Sequence, residues 1–245
     1  MVSTIYIIIL TYFLLGSIGF YFMNRKKEPA VARKSWTKFI TYFFIINLLF
    51  FSIVIDARFF SILTVVIIIF GLFELFNLFK KSGFQNKSFF TVSILVYVLL
   101  SAGFFLFGKL EKELILFSFL VLSIFDSFSQ ITGQLWGRRK IVPKISPNKT
   151  VGGIIGGGAI AMGSSLLLNN LYEASVLKVL FSAVGVVVFA FLGDIAASFY
   201  KRKYRVKDYS NLIPGHGGFL DRFDSLIAGG AWVAFDFYVL NFLTF

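Results

Sequence analysis

The chain has 245 residues, of which 58% are hydrophobic and 15% are charged, and its mean hydropathy is +0.84. Soluble domains are about 45–50% apolar and about 25% charged, so this composition excludes a single soluble domain. The sequence contains no cysteine, which excludes disulfides, thiolate metal ligands and a cysteine nucleophile. The net charge of +12 is divided among short segments between apolar runs, which indicates loops beside anionic lipid and argues against a nucleic-acid partner.

Apolar runs of about 20 residues recur along the chain, each long enough to cross roughly 30 Å of hydrocarbon as a helix. We therefore predict an all-α, polytopic integral membrane protein with about eight transmembrane helices. In chain order the predicted spans are 2–23, 39–55, 59–79, 89–107, 114–131, 152–168, 176–197 and 223–243.

Lysine and arginine are frequent in the loops after spans one, three, five and seven, and sparse in the loops between them. By the positive-inside rule this alternation places both termini outside and the two most polar loops in the cytoplasm. We expect residues 1–113 to form scaffold helices in the inner (plasma) membrane. Residues 114–245 then form a catalytic part that carries both polar loops, with its active site facing the cytoplasm.

The most polar of these loops, with the span ends beside it, is the signature segment, residues 198–224, SFYKRKYRVKDYSNLIPGHGGFLDRFD. It places six basic residues and three aspartates around the sequence His216-Gly217-Gly218. The segment resembles the signature of the phosphatidate cytidylyltransferases, the CDP-diacylglycerol synthases. The residues in register are Ser198, Lys201, Arg202, Lys207, Asp208, Ser210, Ile213, Pro214, His216, Gly217, Gly218, Phe219, Asp221, Arg222, Phe223 and Asp224. Tyr200 departs mildly, because an aliphatic residue or Phe is usual there.

A second polar segment, residues 126–153, resembles the other polar block of the same family. The matching residues are Asp126, Gly133, Gly137, Arg138, Ser146, Pro147, Lys149, Thr150 and Gly153. Two positions depart from the family pattern: Gln130 stands where an aromatic residue is common, and Gly152 stands where Glu is usual. The resemblance covers the chain from about Asp126 onward.

Three aspartates are candidate metal ligands. Asp194 lies near the cytoplasmic end of span seven, while Asp221 and Asp224 open span eight at positions i and i+3. If the two spans are antiparallel neighbours, the carboxylates converge at one depth, where each unpaired charge would cost roughly 2.5–3.5 kcal/mol. The resemblance implies that these residues hold Mg²⁺, with a second cation left open. Capping of the helix N-terminus is the alternative for Asp224.

The remaining polar residues of both segments are candidates for substrate contacts. Gly217 and Gly218 would let backbone amides approach a phosphate. His216 is either structural or a donor to a phosphate oxygen. The resemblance implies catalytic roles for Asp194, Asp221, His216, Lys207 and Arg222, and substrate contacts for Asp126, Ser146, Lys149, Thr150, Lys201, Arg202, Gly217 and Gly218. For Ser146, Lys149 and Thr150, the equally favoured alternative is that the stretch Pro147-Asn148-Lys149-Thr150 starts a helix.

Two acidic residues lie inside predicted spans and outside both segments. Acidic residues in a span are functional candidates by default. We expect Glu74 to pair with Lys80 or Lys81 at the membrane surface. For Asp236 the sequence suggests no partner.

The resemblance implies a Mg²⁺-dependent enzyme that converts CTP and phosphatidate into CDP-diacylglycerol and pyrophosphate, surrounded by membrane lipid. Two alternatives remain: a CTP-dependent polyprenol or phytol kinase, and a membrane transporter of ions or lipids. A transporter predicts repeats in both halves of the chain, whereas the polar residues here concentrate on one side. Homodimer formation is left open.

Overall fold

The computed structural model describes residues 2–25 and 28–240, and most of them are helical. The elements are α1 Val2–Asn24, α2 Pro29–Ile55, α3 Ala57–Lys81, α4 Lys87–Phe107, α5 Lys112–Trp136, β1 Lys140–Val142, β2 Ser146–Thr150, α6 Val151–Leu167, α7 Asn169–Tyr172, α8 Val176–Lys203 and α9 Leu220–Phe235. A π-helical turn, Asp236–Leu240, continues α9.

Six helices in the described part of the chain are long and apolar enough to cross a membrane. They are Pro29–Ile55, Arg58–Lys81, Lys87–Phe107, Lys112–Trp136, Val176–Lys203 and Leu220–Leu240, while Val2–Ile18 and Val151–Leu167 are apolar but shorter. The eight predicted spans are therefore helical as far as the structure describes them, and six of the helices meet both the length and the hydropathy of a membrane span. The prediction of an all-α polytopic membrane protein is confirmed.

Several helices extend beyond the spans predicted from hydropathy. α2 begins at Pro29, ten residues earlier than predicted, and α8 continues from residue 197 to Lys203. Hydropathy marks the part of a helix that lies in hydrocarbon, whereas Lys and Arg outside it still favour helix. Residues 241–243 of the last predicted span lie outside the described residues, as do Lys26 and Lys27 of the first basic loop.

A short β-hairpin, which the sequence analysis did not predict, joins α5 to α6. β1 and β2 are antiparallel, with Lys140 opposite Thr150 and Val142 opposite Ser146. Thr150 ends β2 and also caps α6, because its hydroxyl oxygen accepts the backbone amide of Gly153 at 3.1 Å. The hairpin therefore fixes the residues just before α6 at the C-terminal end of α5.

α8 and α9 pack side by side and antiparallel. Trp232 lies over Gly185, Ala228 and the Asp224 backbone lie against Gly193, and Lys201 pairs with Asp221. α4 approaches α9 in a similar way, with Gly103 against Ala231. Small residues at such contacts let helix backbones approach closely, which is the usual basis of helix association in lipid.

Candidate functional site

The candidate site lies where the N-terminus of α9 meets the C-termini of α5 and α8. Asp221, in the first turn of α9, has a side chain that is only 3% exposed. Its carboxylate accepts hydrogen bonds from Lys201 Nζ at 2.5 Å and from the backbone amides of Tyr209 and Gly218, both at 2.8 Å. Asp221 thus holds the two ends of the 209–218 loop and neutralises a buried lysine.

Lys201 and Tyr209 complete the surroundings of Asp221. Lys201 is buried, and its ammonium lies 5.2 Å from the centre of the Tyr209 ring. The Tyr209 hydroxyl donates to the Ala197 carbonyl at 3.1 Å. Burial, followed by the negative charges of Asp224 and Asp221, raises the pKa of Tyr209 well above its ordinary value, so the phenol stays protonated as a donor.

Asp194 has a different basic partner. Its carboxylate pairs with Lys149 Nζ at 2.6 Å, and the Ser198 hydroxyl donates to it at 3.3 Å. Lys149 comes from β2 and also lies 4.6 Å above the ring centre of Phe191. The hairpin therefore supplies the positive charge that an aspartate at this depth requires.

Asp126, Asp194 and Asp224 come from three different helices and act on one another electrostatically. The negative charge of Asp194 is felt by both Asp126 and Asp224, and Lys149, Arg222 and Lys201 oppose it. Asp224 also accepts the backbone amide of Ser225 at 2.7 Å. The antiparallel arrangement of α8 and α9 thus brings Asp194 and Asp224 to one depth, as predicted, whereas Asp221 is turned toward the loop and Lys201.

Within residues 2–25 and 28–240, no group of three or more Asp, Glu, His or Cys side chains forms a cluster that could hold a metal ion. Asp194, Asp221 and Asp224 therefore form no such cluster, and the Asp221 carboxylate already accepts three hydrogen bonds from the protein. Mg²⁺ is nevertheless often bound through only one or two carboxylates, with substrate phosphates and waters as the other ligands. Asp194 and Asp224 offer a pair of that kind.

The structure contradicts the predicted pairing of Glu74 with Lys80 or Lys81. Its side chain is fully buried inside the protein and makes its hydrogen bonds to the signature segment. The carboxylate accepts the Ser210 hydroxyl at 2.6 Å and the backbone amides of Phe219 and Leu220 at 3.0 and 2.8 Å. Lys80 and Lys81 follow at i+6 and i+7, outside the i+3 and i+4 spacing at which helical side chains meet. That spacing was the signal against the predicted pairing.

Gly217 and Gly218 face carboxylates of the protein. A Cβ on Gly217, whose φ is +88°, would lie 2.8 Å from Asp221 Oδ2, and one on Gly218 would lie 2.2 Å from Glu74 Oε1. The Gly218 amide is already donated to Asp221. These glycines therefore allow Glu74 and Asp221 to approach the loop, and their predicted contact with a substrate phosphate stays a prediction.

His216 sits in the turn formed by Ile213 and Gly217, and its ring is stacked on Tyr42 of α2 with 6.3 Å between centres. Its Nδ1 is buried without a hydrogen-bond partner in the described residues. Burial, then the positive charge of Arg222, lowers the pKa of His216, and Lys38 adds to this while the Pro214 backbone partly offsets it. The imidazole is therefore held in its neutral form near pH 7.

The remaining predicted site residues differ in location and in burial. Arg202 donates to the carbonyls of Ile145 and Val206 at 3.2 and 3.0 Å, which ties the hairpin to the loop after α8. Thr150 is buried as the cap of α6, the helix-starting role that the sequence left open. Ser146 begins β2, and Lys207 is exposed in the loop.

Two positions left open by the sequence have structural explanations. A Cβ on Gly152 would lie 3.0 Å from the Trp136 carbonyl oxygen, so the usual Glu would press against the end of α5. Asp236 is buried and pairs with Lys178 Nζ at 2.6 Å, at the far end of α8 and α9 from the site. Lys178 was missed as a partner because 58 residues separate the two.

The model of the Cytidylyltransferase family matches residues 104–240, more than half of the chain. The chain belongs to the cytidylyltransferase family. The match begins inside α4, so it contains the hairpin and all the predicted site residues of the two polar segments. Glu74, Lys38 and Tyr42 lie before it.

Curated relatives agree with the family assignment. The phosphatidate cytidylyltransferase of Staphylococcus saprophyticus subsp. saprophyticus is 36% identical over 153 residues, which cover 60% of this chain and 58% of the relative. That of Haemophilus influenzae is 38% identical over 134 residues, 52% of this chain and 46% of the relative. The uncharacterized protein YnbB of Escherichia coli is 41% identical over 115 residues, 46% of this chain and 39% of the relative. The matched regions thus span 58% or less of these relatives' own length.

Proposed function

We propose that this member of the cytidylyltransferase family transfers the cytidylyl group of CTP to phosphatidate, giving CDP-diacylglycerol and pyrophosphate. Support comes from family membership, from relatives named for that activity, and from one feature of the site. That feature is the pairing of Asp194 and Asp224 at one depth, with Lys149, Lys201 and Arg222 close enough to influence their charge. Carboxylates for a cation and basic groups for phosphates are what a nucleotidyl transfer requires.

The proposed reaction needs no strong general base, because the attacking phosphate oxygen of phosphatidate is already an anion. This oxygen forms a bond to the α-phosphorus of CTP. The bond between the α-phosphorus and the bridging oxygen breaks, and its electron pair leaves with pyrophosphate. The contribution of the protein is then to position two anions and to compensate their charge.

We propose that Mg²⁺ binds to the carboxylates of Asp194 and Asp224. Hard oxygen ligands of this kind fit the ion, and phosphates and waters would complete its coordination. When bound, it would supply positive charge that offsets the negative charge of the phosphates. Asp221 is proposed to act by holding Lys201 and the 209–218 loop in position, and a second cation remains part of the proposal.

The basic residues have distinct proposed tasks. Lys149, which pairs with Asp194 and is 21% exposed, is proposed to contact a phosphate of the substrate. Arg222 is exposed at the start of α9, and its positive charge acts on both His216 and Asp126. Lys201 is buried, so it is expected to stay with Asp221 and act through its charge.

We also propose an arrangement in the membrane. The distribution of Lys and Arg among the loops supports a site at the cytoplasmic face, where CTP is available, with phosphatidate reaching it sideways from the cytoplasmic leaflet. Residues 1–113 serve as the scaffold and 114–245 as the catalytic part, although Glu74 shows that the scaffold also contacts the signature segment. A homodimer in the membrane is part of the proposal.

The proposal is tested with purified protein in detergent, Mg²⁺, phosphatidate, and CTP labelled in turn at the α- and γ-phosphate. We expect the α-label to appear in a CDP-lipid and the γ-label in pyrophosphate. Transfer of the γ-label to a polyprenol or phytol would instead identify a lipid kinase. Thermal unfolding of the same preparation serves to show that the protein is folded. If folded protein transfers neither label, an enzymatic function is contradicted.

A further inference from the structure

The described part of the N-terminal region contributes a basic residue to the site that no sequence motif includes. We propose that Lys38 of α2 binds the phosphate group of the acceptor lipid, together with Arg222. The inference deepens the proposed function and rests on it for the identity of the lipid.

The first observation is that α2 lies directly on the signature segment. A Cβ on Gly215 would be 3.0 Å from Lys38 Cγ and 3.4 Å from the Lys38 backbone nitrogen. Gly215 has a φ of +75°, so this close approach occurs at a position where a side chain would also be strained. Tyr42, one turn further along α2, stacks on His216. The side chains of Lys38 and Tyr42 thus lie on one face of α2, against the turn that carries His216.

The second observation is a concentration of positive charge and donor groups at the turn that carries His216. Lys38 and Arg222 both act on His216, and Arg222 also acts on Tyr42. Nδ1 of His216 is buried without a hydrogen-bond partner in the described residues. The negative charge of Asp126 acts on Tyr42 and is opposed by Lys149 and Arg222, while the Asp221 carboxylate is paired with Lys201. Two cations beside an unpartnered imidazole nitrogen are suited to a phosphate dianion.

The third observation concerns depth in the bilayer. Lys38 is the last charged residue of α2, and the following residues to Ile55 are uncharged and mostly apolar. The side chain therefore lies where the helix enters hydrocarbon, which is the level of lipid phosphates. A groove of about 480 Å³ between α1 and α2 begins with the neighbouring residue Phe39 and includes Leu10, Leu14 and Phe43. A phosphate held by Lys38 would thus belong to a molecule with apolar surface beside it, which favours the lipid over CTP.

The test compares Lys38→Gln, Lys38→Arg and the control Arg33→Gln. Arg33 is exposed on the same basic end of α2 but lies about 140° around the helix axis from Lys38. Binding of short-chain phosphatidate to protein in detergent is measured by calorimetry, with phosphatidylcholine of equal chain length as the comparison lipid. The KM values for phosphatidate and for CTP are measured on the same preparations.

We expect Lys38→Gln to weaken phosphatidate binding and to raise its KM by about tenfold, because one charged hydrogen bond is lost. The KM for CTP should change less than about twofold, and Lys38→Arg and Arg33→Gln should resemble the unmodified protein. A rise in the KM for CTP alone would assign Lys38 to the triphosphate and overturn the inference, as would unchanged phosphatidate binding in Lys38→Gln. Phosphatidate binding that depends on Lys38 in a protein that transfers no nucleotide would uphold this site while refuting the proposed reaction.

Discussion

The carboxylate of Glu74 in α3 accepts the backbone amide of Leu220, the first residue of α9, at 2.8 Å across 146 positions of the chain. It also accepts the Phe219 amide and the Ser210 hydroxyl. A helix from the N-terminal half thus caps the helix that carries Asp221 and Asp224. This buried side chain thereby ties the N-terminus of α9 to α3, while Asp221 ties it to α8.

Replacing Glu74 by Gln should therefore disturb the site without touching either polar segment. A Gln amide presents one oxygen and one donor nitrogen, so at least one of the three donors would lose its acceptor. We expect the free energy of unfolding to fall by about 1–3 kcal/mol, with a lower kcat, as measured by thermal unfolding in detergent and by the transfer assay. Glu113→Gln, at an exposed position of α5, is the control and should change neither quantity.

Substitutions in the ion pair of Lys201 with Asp221 should separate its contribution to the free energy of unfolding from its contribution to activity. Asp221→Asn leaves Lys201 buried without its counter-charge, and breaking such a pair typically costs about 3–5 kcal/mol. The double substitution Lys201→Met with Asp221→Asn should recover much of that stability, because no unpaired charge remains, yet it should stay inactive. Both are measured by thermal unfolding and by nucleotide transfer.

The exposed pair of Lys112 and Glu113, 3.9 Å apart, serves as the comparison for that cycle. Breaking it with Glu113→Gln should cost less than about 1 kcal/mol. Equal stability of Asp221→Asn and the unmodified protein would show that Lys201 does not depend on Asp221.

Asp224→Asn should reduce activity while preserving the fold. Asp224 repels Asp194 and Asp126, so removing its charge should leave the free energy of unfolding unchanged or higher. We expect kcat to fall by at least about a hundredfold, since transition-state charge stabilisation of this kind contributes roughly that much. The concentration of Mg²⁺ needed for half-maximal rate should rise.

The control for this prediction is Asp208→Asn, an exposed carboxylate of the same loop. Treatment with a chelator should stop transfer by the unmodified protein, and added Mg²⁺ should restore it. Activity of Asp224→Asn with an unchanged Mg²⁺ requirement would remove Asp224 from the proposed ligand pair.

Gly218 and Gly158 offer a matched pair of substitutions to alanine. A Cβ at Gly218 would collide with the Glu74 carboxylate, whereas nothing lies within 4 Å of a Cβ at Gly158 in α6. Gly218→Ala should lower the melting temperature and abolish most activity. Gly158→Ala should raise stability by about 0.5–1 kcal/mol through helix propensity and leave the transfer rate unchanged. A harmless Gly218→Ala would contradict the close packing of Glu74 on this loop.

The pKa of His216 predicts that the free energy of unfolding depends on pH. Its pKa is lowered below the ordinary 6.5 in the folded protein, mainly by burial and by Arg222. Below pH 6.5 the unfolded chain therefore binds a proton that the folded chain resists, so the free energy of unfolding should fall as the pH drops from 7.5 to 5.5. Thermal unfolding across this range, compared with His216→Gln, should show a smaller dependence in the variant. An identical pH dependence in both proteins would assign the effect to other groups.

The sequence predicted the membrane class and the spans well, because hydrocarbon demands long apolar helices wherever the chain crosses it. It did not predict where helices continue into water, as α2 does from Pro29 and α8 does to Lys203. Those ends depend on helix propensity and on contacts rather than on hydropathy. The 140–150 hairpin was missed for a related reason, since its strands are short and lack an alternating pattern.

The candidate site was only partly predictable from the sequence. Its acidic and basic residues follow from the two polar segments, but the pairing of Lys149 with Asp194 and of Glu74 with Ser210 depends on contacts between distant parts of the chain. Asp221 illustrates the difference. A helix-starting aspartate was expected to hold a metal, while its three protein donors become evident only once the loop is folded.

α8 and α9 carry one ion pair near each end, Lys201 with Asp221 and Lys178 with Asp236. Sliding one helix past the other by a single residue, about 1.5 Å, would stretch both pairs at once. We therefore expect α8 and α9 to move as one rigid body during turnover. A gap that admits a lipid would then open between other helices. Among the described residues no ion pair joins α2 to the His216 turn, so we expect the opening there.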